Sequence, residues 1–137
     1  MAETPATSEK RSRIVLINDD TIFLSLMEEL LEGMERYQVS TCRQWEDAYH
    51  VVKRARPDLV ILDIVFGGEE RGWKILELLT LDPSTRPIPV IVCSAAVRSL
   101  QDHEPLLQRY GIGVLPKPFD LEALLEKVHD TLRDTPD

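Results

Sequence analysis

The chain has 137 residues, 43% of them hydrophobic, which suffices for one compact core and is too short for two ordinary domains. Its formal net charge of −8 argues against direct binding to nucleic acid, because affinity for phosphate backbones comes mostly from clustered Lys and Arg. No apolar run approaches the roughly 20 residues of a membrane span and the N-terminus has no signal-peptide pattern, so the expected location is the cytoplasm.

The chain opens with a polar stretch rich in Thr, Ser, Glu, Lys and Arg, which cannot bury enough surface to order itself. We therefore expect a flexible tail over residues 1–12, one domain over residues 13–133 and a short C-terminal tail over residues 134–137. Within the domain, short apolar runs alternate with longer segments of helical spacing. This alternation is typical of strands and helices arranged around a parallel sheet.

Short apolar runs predict the strands. These are Ile14–Ile17, Val39–Cys42, Leu59–Leu62, Pro89–Cys93 and Ile112–Leu115. Most of them are continuously apolar, as expected for strands that helices cover on both faces. The second run alternates instead, with Val39 and Thr41 on one face, which predicts a half-exposed strand at an edge of the sheet.

Two of the predicted helices carry a clear apolar stripe. Apolar side chains recur every three or four positions over residues 23–34 and 121–132, and each set provides one face to pack on the sheet. Asp20 and Asp120 stand where the N-cap residues of these helices belong. We therefore predict an N-capped helix near each end of the domain, packed on the sheet.

The other helices are predicted between the middle strands. They span residues 44–55, 72–81 and roughly 99–110. Pro105 interrupts the last of them, because proline lacks the N–H that an α-helix needs. Strands joined by right-handed helical crossovers favour an α/β fold with a doubly wound parallel sheet.

Polar residues stand where several strands end. They are Asn18, Asp19 and Asp20 after the first strand, Asp63 after the third, Ser94 after the fourth and Lys117 after the fifth. Because the carboxyl ends of parallel strands share one edge of the sheet, we expect these side chains to converge. The carboxylates among them would repel each other without a cation, and hard carboxylate oxygens favour Mg²⁺.

The same residue types suit phosphoryl transfer. Asp63 is a competent nucleophile toward phosphorus. Lys117 and Ser94 can donate to phosphoryl oxygens, over which negative charge spreads during transfer. Taken singly, Asp20 is equally well explained as an N-cap, Ser94 as a turn residue and Lys117 as a solvated lysine. Their combination, in order along successive strand ends, favours the chemical interpretation.

Together these residues resemble the receiver family of two-component signalling, over approximately residues 13–132. The resemblance rests on Asn18-Asp19-Asp20, on Leu62-Asp63 with a Gly-containing loop, on Ser94-Ala95 and on Lys117-Pro118-Phe119. It implies a flavodoxin-like receiver fold with five strands in the order 2-1-3-4-5 and five helices. It also implies a phosphoacceptor signalling domain rather than an enzyme that acts on a separate substrate.

The resemblance assigns roles to individual residues. Asp63 is the implied phosphoacceptor, Lys117 contacts the phosphoryl oxygens, and Ser94 moves toward them after transfer. The Lys117-Pro118 peptide bond is expected to be cis. The implied cofactor is Mg²⁺, with the ligands Asp19, Asp63, Val65 through its backbone carbonyl, and Asn18 and Asp20 through water.

Partners are implied as well. The expected phosphodonor is a histidine kinase, a phosphotransfer protein or a small acyl phosphate. A downstream protein or a second copy of the chain is expected to bind the face formed by the fourth helix, the fifth strand and the fifth helix. No effector domain follows this unit before Asp137, so we expect a stand-alone receiver or one cut from a larger protein.

Some positions depart from the family pattern. Asn18 stands where the family usually has an acid, the loop over residues 67–72 is longer than usual, and Val114 replaces a frequent aromatic residue. Val65 and Ala96 occupy positions that tune hydrolysis in the family. Neither side chain can orient an attacking water, so we expect slow self-dephosphorylation.

Two other interpretations stay open at this stage. Asn18 and Val114 also fit a pseudo-receiver, which keeps the fold as a protein-binding module and is never phosphorylated. An aspartyl phosphatase would also use Asp63 as a nucleophile, but it needs an acid two residues later, where this chain has Val65. Mg²⁺-dependent phosphorylation separates the first alternative from a working receiver, and turnover of a phosphate ester would support the second.

Overall fold

A computed structural model describes residues 11–134, and the predicted apolar runs form a single parallel sheet in it. The strands are β1 (Arg13–Ile17), β2 (Gln38–Cys42), β3 (Leu59–Asp63), β4 (Val90–Ser94) and β5 (Gly113–Pro116). Their order across the sheet is β2-β1-β3-β4-β5, which confirms the expected order. β3, the central strand, therefore has a neighbour on each side.

Helices connect consecutive strands and cover both faces of the sheet. They are α1 (Thr21–Gly33), α2 (Ala48–Ala55), α3 (Gly72–Leu81), α4 (Val97–Asp102), α5 (Glu104–Arg109) and α6 (Leu121–Asp134). A short 3₁₀ turn at Trp45–Asp47 precedes α2, so the predicted helix over residues 44–55 begins with a tighter turn. This arrangement is the doubly wound α/β fold that the sequence predicts.

Alternation along β1 divides the core between the two faces of the sheet. Val15 and Ile17 are buried on the face that α2 and α3 cover, and Ile14 and Leu16 on the face that α1 and α6 cover. This two-residue period is the geometry of a strand, in which successive side chains point to opposite faces. Burial on both faces explains why the run is continuously apolar.

The prediction of a half-exposed edge strand is confirmed for β2. β2 does lie at an edge of the sheet, but its buried residues are Val39 and Cys42, and Thr41 is exposed. Val39 packs in the cluster beneath α1, whereas Cys42 packs in the cluster on the α2 and α3 face. Each face of this edge strand is thus covered over only part of its length.

The single helix predicted over residues 99–110 is two short helices, so residues 11–134 form six α-helices where five were expected. α4 begins at Val97, earlier than predicted, and the break falls at His103. Pro105 occupies the first turn of α5, where its missing N–H costs nothing. In a continuous helix the same residue would remove an intrahelical hydrogen bond.

Most of the predicted N-terminal tail and residues 135–137 of the predicted C-terminal tail lie outside the described residues. Where the description begins, Arg11 donates from Nε to the carbonyl of Arg36 at 3.0 Å, and the carbonyl of Ser12 accepts from the N–H of Gln38 at 2.8 Å. Arg11 thus contacts the segment before β2, and Ser12 contacts the first residue of β2. Over the part of the chain described here, no helix is long and apolar enough to cross a membrane.

Candidate functional site

A cleft of about 670 Å³ lies at the carboxyl edge of the sheet. It is lined by Asn18, Asp19 and Asp20 after β1, by Asp63 and Val65 at the end of β3, and by Lys117 after β5. Strand register brings these segments together, because Ile17 pairs with Leu62 and Asp63 pairs with Cys93. Residues that are up to a hundred positions apart therefore share one site.

Asp63 is the most buried carboxylate of the cleft, with 4% of its surface exposed. Its Oδ1 forms an ion pair with Nζ of Lys117, and this oxygen has no other hydrogen-bond partner among the described residues. Burial raises the pKa of Asp63 above its usual value, and the negative charge of Asp19 adds to this, while Lys117 opposes both. The result is a carboxylate that is more basic than an exposed one.

Asp19 is held by the loop that follows β3. Its Oδ2 accepts a hydrogen bond from the backbone N–H of Gly67 at 2.9 Å, across 48 positions of sequence. Asp19 and Gly67 also both line a second cleft of about 500 Å³ on the far side of this contact, next to Trp45 and Arg43. The carboxylate of Asp19 thus joins the end of β1 to the loop after β3.

The side chains of Asn18 and Asp20 accept hydrogen bonds from nearby backbone N–H groups. Oδ1 of Asp20 accepts from the N–H groups of Ile22 and Phe23, both at 3.1 Å, so Asp20 is the N-cap of α1 as predicted. Oδ1 of Asn18 accepts from the N–H of Asp20 at 2.9 Å. This short turn fixes the backbone on which Asp19 is placed.

Ser94 does not line the cleft, although Ala95 does. Its side chain is buried, and its Oγ accepts from the N–H of Ala96 at 3.0 Å. Its carbonyl accepts from the N–H of Lys117 at 2.9 Å, next to the cis peptide bond between Lys117 and Pro118. In this conformation the carbonyl of Ser94 holds the backbone of Lys117, and its hydroxyl accepts a hydrogen bond within the loop before α4.

The oxygen atoms of the cleft suit Mg²⁺. Asp19 and Asp63 are close enough for their charges to interact, and Val65 lines the same cleft. Within residues 11–134 there is no group of three or more His, Cys, Asp or Glu arranged to hold a metal ion. Mg²⁺ fits such a site, because it commonly takes one or two carboxylates and keeps several waters.

Two aromatic rings form an apolar wall of the cleft that sequence reasoning did not assign. Phe23 of α1 and Phe119 after β5 meet edge to face, with centroids 6.4 Å apart and an interplanar angle of 77°. Phe23 reads in the sequence as part of the apolar stripe of α1. Only its place in the first turn, next to the polar residues after β1, signals a position at the site.

A second polar cluster joins the loop after β3 to α4, and sequence reasoning missed it. Nε1 of Trp73 lies 2.8 Å from Oγ of Ser99 and 3.0 Å from Oε1 of Glu70. The indole ring stacks on His103 at the α4–α5 break, with centroids 3.8 Å apart and planes within 7°. No spacing in the sequence signals these contacts, because they depend on the packing of α3 against α4.

Comparisons with known proteins agree with this geometry. The family model for the response regulator receiver domain matches residues 14–129. Response regulator PleD of Caulobacter vibrioides is 30% identical over 122 residues, which are 89% of this chain and 26% of that protein. The chain thus spans about a quarter of the length of PleD. Protein PilH of Pseudomonas aeruginosa is 28% identical over 122 residues, 88% of this chain and 98% of PilH.

A solved structure shows the same fold. It is the receiver domain of sensor histidine kinase PA1611 from Pseudomonas aeruginosa PAO1, described with a magnesium ion coordinated in its active-site cleft. The two structures superpose with a TM-score of 0.73 at 20% sequence identity, over 90% of this chain and 99% of the other. At this level of identity the likeness concerns the fold.

Proposed function

The chain belongs to the response regulator receiver domain family, and from this premise we propose that it accepts a phosphoryl group on Asp63 in a Mg²⁺-dependent reaction and signals through its interaction surface. The observation that carries the proposal is the carboxylate of Asp63, which lies buried at the end of the central strand and is paired with Lys117. A solvated aspartate in a loop would have neither the burial nor the lysine.

The transfer balances with Asp63 as the nucleophile. One of its carboxylate oxygens forms a bond to phosphorus, and the bond from phosphorus to the donor breaks with its electron pair going to the donor atom. Receiver domains of response regulators take the group from histidine kinases, where that atom is an imidazole nitrogen. In a phosphotransfer protein the donor atom is likewise an imidazole nitrogen, and in an acyl phosphate it is a carboxylate oxygen.

Lys117 has a role before and after the transfer. Before it, the ammonium group offsets the charge of the buried Asp63 carboxylate. After it, one oxygen of Asp63 carries the phosphoryl group as an acyl phosphate, and the ammonium group can pair with a phosphoryl oxygen instead. Ser94 is the second donor that we propose, and it must first release its hydrogen bond with the N–H of Ala96.

Asp19, Asp63 and the backbone carbonyl of Val65 are the proposed ligands of Mg²⁺, with Asn18 and Asp20 contributing through water. When bound, the ion neutralises negative charge on the phosphoryl oxygens. The two carboxylates in one cleft support this assignment, and so does the magnesium described in the receiver of PA1611. The N-cap contacts of Asp20 use its Oδ1 and leave Oδ2 for such a water.

The output surface that we propose is the face formed by α4, β5 and α6, where α6 corresponds to the fifth helix of the sequence prediction. A downstream protein or a second copy of the chain would bind there. Val114 in β5 has no aromatic ring, so a change at this face must travel through backbone or through other side chains. A cytoplasmic location and the absence of direct nucleic-acid binding stay predictions.

Intact-mass measurement after incubation with acetyl phosphate and Mg²⁺ tests the proposal. We expect a gain of one phosphoryl group that disappears in the Asp63→Asn variant and in the presence of EDTA. If no gain occurs, the measurement is repeated with a beryllofluoride mimic and with candidate kinases, because small donors fail with some receivers. A gain that persists in Asp63→Asn would contradict the assignment of the acceptor.

The alternative is a phosphorylation-independent pseudo-receiver that acts as a protein-binding module. The observation that favours it is Asn18, which replaces an acid and whose Oδ1 already accepts from the N–H of Asp20. One potential ligand for a metal-bound water is therefore engaged with the backbone. If neither small donors, beryllofluoride nor kinases modify or occupy Asp63, this alternative becomes the better account.

A further inference from the structure

We infer that the turn at Gly67 and Gly68 is a positioning device for Mg²⁺ binding, which acts by holding the carboxylate of Asp19 through the backbone N–H of Gly67. This inference rests on the proposed function, because it concerns the same metal site. It assigns a role to the loop in which the chain departs from the receiver pattern.

The loop forms a tight two-residue turn. Phe66 and Glu69 pair as an antiparallel bridge, with N–H to carbonyl distances of 2.7 Å and 3.0 Å in the two directions. Gly67 and Gly68 between them have φ values of +57° and +81°. Positive φ at both central positions is what a type I′ turn requires, and glycine adopts it without steric cost.

The turn directs one N–H group at the metal site. The amide of Gly67 donates to Oδ2 of Asp19 at 2.9 Å. No donor among residues 11–134 hydrogen-bonds to Oδ1 of Asp19, so that oxygen stays available to a cation. Carboxylates that bind metals are themselves commonly held by hydrogen bonds, and loss of such a partner typically costs 10–100-fold in metal affinity.

Side chains next to the turn brace it against the segment after β2. Oε1 of Glu69 pairs with Nη2 of Arg71 at 2.8 Å, and the N–H of Arg71 donates to the carbonyl of Glu69 at 2.9 Å. The guanidinium of Arg71 in turn lies 4.5 Å from the ring centroid of Trp45. These contacts brace the turn, so its amide is held in place rather than free to rotate away.

Two substitutions of similar size separate backbone conformation from bulk. No heavy atom lies within 4 Å of a Cβ built on Gly67, so neither Asn nor Val would clash there. Asn tolerates positive φ, and Asn-Gly is among the favoured sequences of type I′ turns. Val strongly disfavours positive φ. Gly67→Asn therefore keeps the amide in place, and Gly67→Val displaces it.

The experiment is a calorimetric titration of the full chain with MgCl₂ for the wild type, Gly67→Asn and Gly67→Val, with Gly33→Val as a control in α1. Gly33 also has open space around its Cβ, but its φ is not positive. We expect Gly67→Val to weaken the affinity for Mg²⁺ about 10–100-fold. Gly67→Asn and Gly33→Val are expected to bind Mg²⁺ like the wild type.

Thermal unfolding of each variant is measured without Mg²⁺, so that a loss of affinity for Mg²⁺ is distinguished from a loss of folding. If Gly67→Val does not fold, Gly67→Ala replaces it, since Ala carries a milder penalty at positive φ. Equal affinity in the wild type and in the folded Val or Ala variant would overturn the inference and leave the proposed function intact. Absence of Mg²⁺ binding in the wild type would contradict both.

Discussion

Asp63 makes folding depend on pH in a direction opposite to that of most carboxylates. Its usual pKa is 3.8, and burial raises the pKa in the folded protein despite the opposing effect of Lys117. Between these two pKa values the folded state binds more protons than the unfolded state. The contribution of this group to stability is therefore fully present below pH 3.8 and is lost as the pH rises through the folded pKa.

Asp63→Asn is accordingly expected to stabilise the protein at pH 7, because it removes a charge that burial disfavours. The gain should be roughly 0.5–2 kcal/mol in the free energy of unfolding, the range of single stabilising substitutions. It should shrink as the pH falls through the raised pKa of Asp63, because the carboxyl group then becomes protonated and neutral. Urea unfolding at several pH values measures this, with Glu29→Gln on the exposed face of α1 as the control. A variant less stable than the wild type at pH 7 would mean that the Lys117 ion pair outweighs burial.

The lifetime of the phosphorylated state is set, in our proposal, by Val65 and Ala96. Neither side chain can orient a water for attack on the aspartyl phosphate, so the wild type should lose its phosphoryl group slowly. Val65→Glu, which places a carboxylate in the cleft, should accelerate the loss roughly 10-fold to 100-fold, at or below the low end of what a positioned general base contributes. The decay of the phosphorylated mass after removal of the donor measures both rates.

The matched control for this comparison is Val97→Glu, which makes the same change at an exposed position of α4 outside the cleft. It should leave the lifetime unchanged. If the wild type loses its phosphoryl group as fast as Val65→Glu does, the expectation of slow self-dephosphorylation is wrong. Hydrolysis would then be explained by an attacking water that the backbone positions.

At the scale of elements, the start of α3 packs closely against the end of β3, next to the proposed acceptor Asp63. The N–H of Gly72 donates to the carbonyl of Ile64 at 2.8 Å, so the first residue of α3 contacts the residue that follows β3. A Cβ at this position would lie 2.5 Å from Cα of Ile64 and 2.7 Å from the carbonyl oxygen of Asp63. Both neighbours are backbone atoms, which cannot rotate away as a side chain can.

Gly72→Ala should therefore separate α3 from β3. We expect a loss of about 1–3 kcal/mol in the free energy of unfolding, the usual cost of forcing extra atoms into a packed core, together with slower phosphorylation at Asp63. Urea unfolding and the rate of mass gain with acetyl phosphate measure the two effects. Gly33→Ala, in the open surroundings at the end of α1, should lack both. Equal behaviour of the two variants would contradict this account of the contact.

The division of one predicted helix into α4 and α5 marks a limit of local reasoning. Pro105 in the sequence predicts an interruption, but it does not determine on which side the helix continues. The break at His103 lies beneath the ring of Trp73, and the carbonyl of Ser99 lies 2.8 Å from Nδ1 of His103. The position of the break is thus tied to a contact between distant segments, which periodicity does not describe.

At the scale of the whole molecule, the strands and their layers follow from the sequence because burial on both faces imposes continuous apolar runs such as Leu59–Leu62. The place of Asp63 follows equally, since it ends such a run. The strand order 2-1-3-4-5 required the family resemblance, because spacing carries no information about which strands pair. Some strand boundaries differ from the predicted ones by a residue. β4, for example, ends at Ser94 rather than at the last apolar residue, because Ser94 still pairs with Pro116 of β5.

Two parts of the site could not be predicted, and the reasons differ. The hydrogen bond from Gly67 to Asp19 needs both the conformation of a turn and the packing of two strand ends. The orientation of the Ser94 hydroxyl toward the N–H of Ala96 depends on a rotamer that the sequence does not specify. The sequence thus predicts which residue types form the site, but it does not predict how their side chains are oriented.

The central claim is that Asp63 is the acceptor, and chemical mapping of the acyl phosphate tests it most directly. The protein is incubated with acetyl phosphate and Mg²⁺ and reduced with borohydride, which converts an aspartyl phosphate into homoserine, and its peptides are sequenced by mass spectrometry. We expect homoserine at position 63 and an unmodified side chain at Asp19 and Asp20. Homoserine at Asp19 or Asp20 with Asp63 intact would contradict the account.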